Sequence, residues 1–336
     1  MKAAIYQGIK NIEVKELPMP TCDDNGIVVK NLYAAICGSD VFAYNYGGQA
    51  NMIFEGFEFG HEMVSEVVEV GKNVQGVKVG DRVFPTCFAK NDLMRAATIG
   101  GFSEYIEIPE CVVGKSVYII PENVENNIAS LVEPFTIGAR AVLHIGEIEK
   151  GKNAIVFGAG AIGLTAAMTL KYLGANVCVV DLSESRLKIA EELGMLTCNL
   201  TNETYLEKCG ELFGTIPGMM GASSLNVDYY VDAAGNQAVI DSFFSGAKTC
   251  ATLAVVAVHH KPVTINMIPI TYNGLRIVGT AGAPVDAENL VLEILSSHKF
   301  PVEKLITHEF THDHLIEAFE QASDAASALK VVIKYE

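Results

Sequence analysis

Basic residues are scarce in this 336-residue chain: 24 Lys and Arg stand against 40 Asp and Glu, giving a net charge of −16 at pH 7. So acidic a surface repels phosphate backbones and anionic headgroups, which argues against nucleic acid or a membrane surface as a partner. No apolar run reaches the roughly 18 residues of a membrane span. The opening MKAAIYQGIKNIEVKE alternates like a strand and lacks an apolar signal core with a cleavage site, so a cytoplasmic location is expected. Internal repeats and low-complexity linkers are absent too. The eight cysteines show no disulfide-framework spacing, as expected of reduced thiols. Half of the chain is hydrophobic (50%), with a mean hydropathy of +0.28, which implies large buried cores and room for two domains.

The stretch that organises the chain is Lys152 to Asp181. A short apolar run, Ala154 to Phe157, ends in Gly158-Ala159-Gly160-Ala161-Ile162-Gly163; helix formers follow, then a second apolar run, Val177 to Val180, closes on Asp181. Strand, glycine turn, helix, strand and acid are the parts that a bound dinucleotide demands. Gly158 permits the tight turn, Gly160 lets the backbone approach a pyrophosphate, and Gly163 lets the helix pack close to the strand. The helix N-terminus offers unpaired N–H groups to the phosphates. Asp181, 18 residues after Gly163, can accept both ribose hydroxyls and would repel a 2′-phosphate, so NAD is expected over NADP.

Around this stretch the chain changes character. Residues before about 133 read as short strands and turns, among them Ile27 to Ala35, Met63 to Val70 and Tyr105 to Ile108. Residues 126 to 145 read as helical, and beyond them strands and helices alternate, the pattern of a parallel, doubly wound sheet. Strands are expected at Val227 to Asp232, Thr252 to Val258 and Leu275 to Thr280, with helices near Ser183 to Leu193 and Gln237 to Gly246. The tail, 281–336, carries two further helices and a final strand, Leu329 to Lys334, and is expected to rejoin the first domain. That gives a discontinuous domain of 1–133 and 281–336 around a dinucleotide-binding domain of 134–280. Besides the glycine turn and Asp181, the residues expected to contact the cofactor are Arg186, Ala233, Val256 and Thr280. For Arg186 an ordinary helix-surface charge is an equal alternative, and the Ala-Ala-Gly run at 233–235 also reads as a plain strand-to-helix turn.

Three polar clusters in the first domain need a further explanation: Cys37-Gly38-Ser39-Asp40, Gly60-His61-Glu62 and Glu133-Pro134. Taken singly, each has a structural reading. Together they offer a thiolate, an imidazole and one or two carboxylates, the donor set of a catalytic zinc that keeps one position open. Their separation in sequence leaves convergence unproven by spacing alone. The histidines of THEFTHDHL (His308, His312, His314) do not read as a metal cluster, since His312 and His314 sit where a surface helix is expected to begin. His259 and His260, after the strand from Thr252, are candidates to line a substrate site or to sit in a solvated loop.

With these motifs in view, the chain resembles the zinc-dependent medium-chain alcohol dehydrogenase family, in its sorbitol, polyol and threonine dehydrogenase branch. The resemblance spans the whole chain. It rests on CGSD at 37–40, GFEFGHEMVSEVVEVG at 56–71, VGDRV at 79–83, GGFSEYI at 100–106, VEPF at 132–135, GAGAIG at 158–163, VVDLSESRLKIAEELG at 179–194 and ITHEF at 306–310. It implies an α/β protein with a GroES-like β-rich catalytic domain and a Rossmann domain, the active site lying in the cleft between them. It implies Cys37 and His61 as zinc ligands, with Glu62 or Glu133 as the remaining protein ligand. Ser39 would take the substrate proton and Asp40 would orient the ligand imidazole. The reaction implied is hydride transfer between NAD(H) and a secondary alcohol or its ketone. The alcohol class is a polyol, a free or phosphorylated sugar alcohol, a diol or a hydroxy amino acid, and the protein is expected to be a homodimer or homotetramer. Two alternatives are a zinc-free NADPH reductase of quinones or activated alkenes, and a non-catalytic NAD(H) sensor; Cys37, His61, Asp181 and Ser39 argue against them.

The chain departs from the family pattern twice. Many relatives carry a His two residues after the Asp of CGSD, late in the proton relay, where this chain has Phe42; the relay would then leave through ribose hydroxyls, water, Tyr44 or Tyr46. Many relatives also hold a structural zinc on four close cysteines, whereas Phe84 to Gly101 contains only Cys87. One catalytic zinc and no structural zinc are therefore expected.

Overall fold

The structure is a computed structural model that describes residues 1–86, 100–218, 223–281 and 285–336. The chain divides into two compact units, Met1–Glu133 with Leu305–Glu336, and Pro134–Lys304.

The first unit is β-rich. Its seven-stranded sheet runs in the order Ile306–Thr311, Lys330–Lys334, Ile27–Ala35, Glu62–Val70, Arg82–Pro85 and Val117–Ile119, with Tyr105–Ile108 also paired to Ile27–Ala35. All pairs are antiparallel except Ile306–Thr311 with Lys330–Lys334. Beside it Ile12–Glu16, Lys2–Tyr6 and Phe57–Glu58 form a small sheet. The two nine-residue strands Ile27–Ala35 and Glu62–Val70 end next to each other, Ala35 opposite Glu62, and so bring the CGSD and HE clusters to one end of the sheet. This unit holds an aromatic core: the Phe59, Phe102 and Phe319 rings sit with centroids 4.9–5.7 Å apart. Each such ring contributes on the order of 1.5–3 kcal/mol by burial. Phe319 arrives on the helix Leu315–Ser323, whose buried Leu315, Ala318 and Phe319 follow the i, i+3, i+4 spacing of one helix face. Gly60, at φ +92°, turns the chain from this core into His61; a Cβ there would lie 2.7 Å from the Phe102 ring.

The second unit is the doubly wound half. Six parallel strands run in the order Leu196–Asn199, Asn176–Asp181, Asn153–Phe157, Tyr229–Asp232, Thr252–Val255 and Arg276–Gly279. The central strands are buried on both faces, which is why they read as unbroken apolar runs rather than alternating ones. The helix Ala161–Tyr172 is buried from Gly163 through Leu170. Its close approach depends on Gly163, where a Cβ would sit 1.9 Å from the Gly158 carbonyl oxygen.

The return of the chain differs from the expectation at 281. Residues up to Lys304 belong to the second unit because the helix Ala287–Ser296 is tied there: Glu288 pairs with Arg140 at 2.6 Å, Glu293 accepts from Tyr172 at 2.6 Å, and Lys304 pairs with Glu192 at 3.0 Å. Several short elements differ from the expectation, among them the edge strand Leu196–Asn199 and the helices Met267–Asn273 and Gly38–Tyr46; the helix Tyr205–Phe213 also lies outside it, although its Tyr205, Cys209, Leu212 and Phe213 follow helical spacing. The expected strand to Val258 stops at Val255, and Val258 is exposed. Among the described residues no helix is long and apolar enough to cross a membrane, and all described cysteines are free thiols. Cys87, on which the expectation of no structural zinc turns, lies outside the described residues.

Candidate functional site

Cys37 stands at the end of the strand Ile27–Ala35, as the residue that caps the helix Gly38–Tyr46. Asp40, in the first turn of that helix, accepts the Cys37 backbone N–H through Oδ2 at 3.0 Å. This local loop explains the spacing of the CGSD motif: the acid three residues on satisfies a helix-start N–H and is fully buried as a result. Its other oxygen, Oδ1, faces His61 Nδ1 at 3.9 Å and has no hydrogen-bond partner; nor does His61 Nδ1.

The ligand-type atoms of Cys37, His61 and Glu62 lie within 4.8 Å of one another. Glu62 is 1% exposed; one carboxylate oxygen, Oε2, accepts from the buried Lys330 ammonium, and the other, Oε1, has no partner. Glu133 is near enough to raise the pKa values of His61 and Lys330, though it is not one of the three clustered groups. Burial pushes the Asp40 carboxyl up to about 6, against the pull of His61. Burial disfavours the charged form of His61, but Cys37 and Asp40 outweigh it and lift the imidazole well above its ordinary value. Unpaired polar atoms buried together are costly unless something absent from the protein chain satisfies them. A thiol, an imidazole and a carboxylate at this separation fit a zinc ion with an open position, and the unpaired Oε1 is the oxygen that Lys330 leaves available for it.

Of the remaining residues expected here, Ser39 is half-buried, its carbonyl accepting from Asn51 at 3.2 Å. Phe42 packs its ring on exposed Tyr46, centroids 5.2 Å apart, in a groove that Ile53 and Phe54 also line. Tyr44 is not a free relay partner: it is buried, and its hydroxyl donates to Glu320 at 2.6 Å. His308, His312 and His314 do not converge on one another; their nitrogens meet Thr307, the Phe102 carbonyl and Thr311 respectively. His312 is buried, 7% exposed, not a surface helix-end side chain; its ring lies tilted against that of Tyr335, centroids 5.1 Å apart.

In the second unit the glycine turn has the form a pyrophosphate needs. Gly158 is at φ +103°, and a Cβ on Gly160 would meet nothing within 4 Å, so open space lies over the turn. The helix Ala161–Tyr172 begins immediately beyond, with Ala161 and Ile162 in its first turn. Asp181 folds back on this turn: Oδ2 accepts from the Ala159 N–H at 2.6 Å and Oδ1 from the Ser183 N–H at 2.8 Å. Its remaining lone pairs are the ones a ribose could use. Arg186 lies half-buried in the first turn of the helix Glu184–Glu192. Ala233 is beside the glycine turn, its N–H donating to the Phe157 carbonyl at 2.9 Å. Val256 and Thr280 follow directly on the strands Thr252–Val255 and Arg276–Gly279, both half-buried.

Comparison with known proteins agrees with both halves. The alcohol dehydrogenase GroES-like domain matches residues 23–121, and the zinc-binding dehydrogenase domain matches residues 161–297. The chain belongs to the zinc-dependent medium-chain alcohol dehydrogenase family. Among its relatives, the L-threonine 3-dehydrogenase of Escherichia fergusonii is 26% identical, with 97% of each chain covered. The sorbitol dehydrogenase of Bacillus subtilis is 27% identical over 99% of this chain and 97% of its own. The crystal structure of 2R,3R-butanediol dehydrogenase from Bacillus subtilis superposes with a TM-score of 0.84 at 26% identity, covering 99% of both chains. The two units are thus the GroES-like and Rossmann-like domains of this dehydrogenase family. One residue escaped the sequence reading. Lys330 sits in an ordinary-looking strand run, LKVVIK, and only the register of that strand, Val332 opposite Ala35, brings it to the ligand cluster.

Proposed function

We propose that the protein oxidises a secondary alcohol, or reduces the matching ketone, with one zinc ion held by Cys37, His61 and Glu62 and with NAD(H) on the glycine turn. It is an oxidoreductase acting on CH–OH groups. The supporting observation is the convergence of three ligand-type groups, Cys37, His61 and Glu62, with the buried Glu62 Oε1 lacking a protein partner.

When bound, zinc supplies a Lewis acid that makes a substrate hydroxyl easier to ionise, and NAD supplies the hydride acceptor. The chain's own residues do the rest. Asp40 orients the His61 imidazole, and Lys330 holds Glu62 by one oxygen so that the other stays aimed at the ligand cluster. Ser39 is the hydroxyl that takes the substrate proton. Because Phe42 cannot relay it, the proton leaves through water, a ribose hydroxyl or exposed Tyr46; buried Tyr44, engaged with Glu320, is not the exit. Asp181 accepts from the adenosine ribose and disfavours a 2′-phosphate, so NAD is the preferred cofactor. Glu133 is the carboxylate able to replace Glu62 at the metal.

The substrate class that this reading favours is a polyol, a free or phosphorylated sugar alcohol, a diol or a hydroxy amino acid. The protein works in the cytoplasm as a homodimer or homotetramer, without a structural zinc. Elemental analysis of the wild type and of Cys37→Ala, with NAD reduction measured alongside, tests the reading. About one zinc per chain, lost in the variant together with activity, is expected. Wild type free of zinc would overturn the mechanism in favour of a zinc-free reductase, and two zinc ions per chain would overturn the absence of a structural site.

A further inference from the structure

The second unit holds a buried acid–imidazole pair that the mechanism above does not use. Asp232 ends the strand Tyr229–Asp232 and is fully buried. Its Oδ1 accepts from the Ala234 and Gly235 N–H groups at 3.0 and 2.8 Å, and its Oδ2 meets His259 Nε2 at 2.7 Å. The loop that carries His259 is pressed onto this turn. Gly235 is at φ +71°, a Cβ there would lie 3.0 Å from both the Val258 carbonyl oxygen and the Ala257 Cβ, and the Val256 and Ala257 N–H groups both donate to the Asp232 carbonyl at 3.0 Å. His259 is therefore fixed at one place, beyond the carboxyl ends of neighbouring strands.

That place has a meaning in a doubly wound sheet. The strand order reverses between Asn153–Phe157 and Tyr229–Asp232, and ligands cross such a sheet outside its carboxyl ends at that switch. Asp181 and the glycine turn lie on one side, serving the adenosine half and the pyrophosphate. Asp232 and His259 lie on the other, where the nicotinamide nucleotide falls. An ionised carboxylate only accepts, so the nitrogen that meets Asp232, His259 Nε2, carries a proton, and in the neutral imidazole that leaves Nδ1 as an acceptor. Nδ1 is buried and has no hydrogen-bond partner, while the side chain keeps 17% exposure. An unsatisfied buried acceptor next to an exposed ring edge asks for a ligand donor.

We infer that His259 reads the nicotinamide carboxamide: its Nδ1 accepts a hydrogen bond from the carboxamide NH2 while Asp232 fixes the tautomer. The inference rests on the NAD reading above, and the two are separable by experiment. The probes are NADH, its reduced 3-acetylpyridine analogue (a methyl ketone replaces the amide, so the donor is lost and the acceptor kept) and ADP-ribose, which lacks the nicotinamide. Dissociation constants are measured on the whole protein by titration calorimetry.

Wild type should prefer NADH over the acetylpyridine analogue by roughly three- to tenfold, the range of one net hydrogen bond. His259→Leu should weaken NADH binding by the same factor and erase the preference, with ADP-ribose binding unchanged. In Asp232→Asn the amide can donate to Nε2, moving the ring proton to Nδ1, so the preference should turn toward the acetylpyridine analogue. If His259→Leu keeps the wild-type preference, or if wild type already prefers the ketone, the inference is overturned while the NAD reading stands. If wild type binds neither NADH nor ADP-ribose, both fall. ADP-ribose affinity also serves as the folding control for each variant.

Discussion

Lys330 and Glu62 form an ion pair inside the first unit, with only 5% and 1% of their surfaces exposed, and the ammonium also donates to the Ile36 carbonyl at 3.2 Å. Burial alone would favour a neutral lysine, but Glu62 and Cys37 outweigh it and hold the Lys330 pKa above its ordinary value. The pair lies at the floor of the ligand cluster, where it offsets part of the negative charge brought by Cys37, Glu62 and Glu133.

Removing one partner of such a pair leaves the other buried and uncompensated, which typically costs about 3–5 kcal/mol. Lys330→Met should therefore lower the urea midpoint of the metal-free protein markedly, whereas Lys330→Arg should retain much of the stability because its guanidinium still donates to Glu62. Equal midpoints for wild type and Lys330→Met would show that Glu62 does not depend on this cation.

Much of the candidate site could be read from sequence because its signals are local. Gly158, Gly160, Gly163 and Asp181 follow from turn geometry and strand length within thirty residues. The chemical types of Cys37, His61 and Glu62 suggested a metal, but their convergence depends on strand register, Ala35 against Glu62, which composition does not encode. The role of Lys330 and the pairing of His259 with Asp232 are not legible for the same reason: each joins segments apart in the chain by one side-chain contact. The missed strand Leu196–Asn199 has a different cause. Four residues, LTCN, with a single buried side chain hold too little periodicity to stand out from a loop.

Tyr44 provides a pH-dependent test. It is buried against Phe319 with its hydroxyl on Glu320, and burial followed by that neighbouring carboxylate pushes the phenol up to about 12. A folded-state pKa above the unfolded one means that the stabilising contribution is complete below the ordinary value of 10.0 and is lost as pH rises toward about 12. Stability should thus fall across that alkaline window, and Tyr44→Phe should flatten part of the fall. In a spectrophotometric titration Tyr44 should ionise above the ordinary tyrosine value of 10.0. Since its proton stays on at neutral pH, Tyr44→Phe should also leave the neutral pH–rate profile of alcohol oxidation unshifted; a shifted profile would return Tyr44 to the proton relay.

Asp181 allows charge and architecture to be separated. Its carboxylate accepts from Ala159 and Ser183 N–H groups, so it builds the glycine turn, in addition to the ribose contact proposed for it. Asp181→Asn keeps the size and one of the two acceptors that hold the turn, and removes the charge. Hydrogen bonds to a charged group contribute about 1.5–3 kcal/mol, so NADH should bind on the order of ten- to a hundredfold more weakly. The 2′-phosphate of NADPH would no longer meet a negative charge, and NADPH affinity should hold or rise. The ratio of the two dissociation constants, from parallel calorimetric titrations, carries the decision. If Asp181→Asn weakens both dinucleotides by the same factor, Asp181 acts only by shaping the turn, and the preference for NAD has to come from another residue.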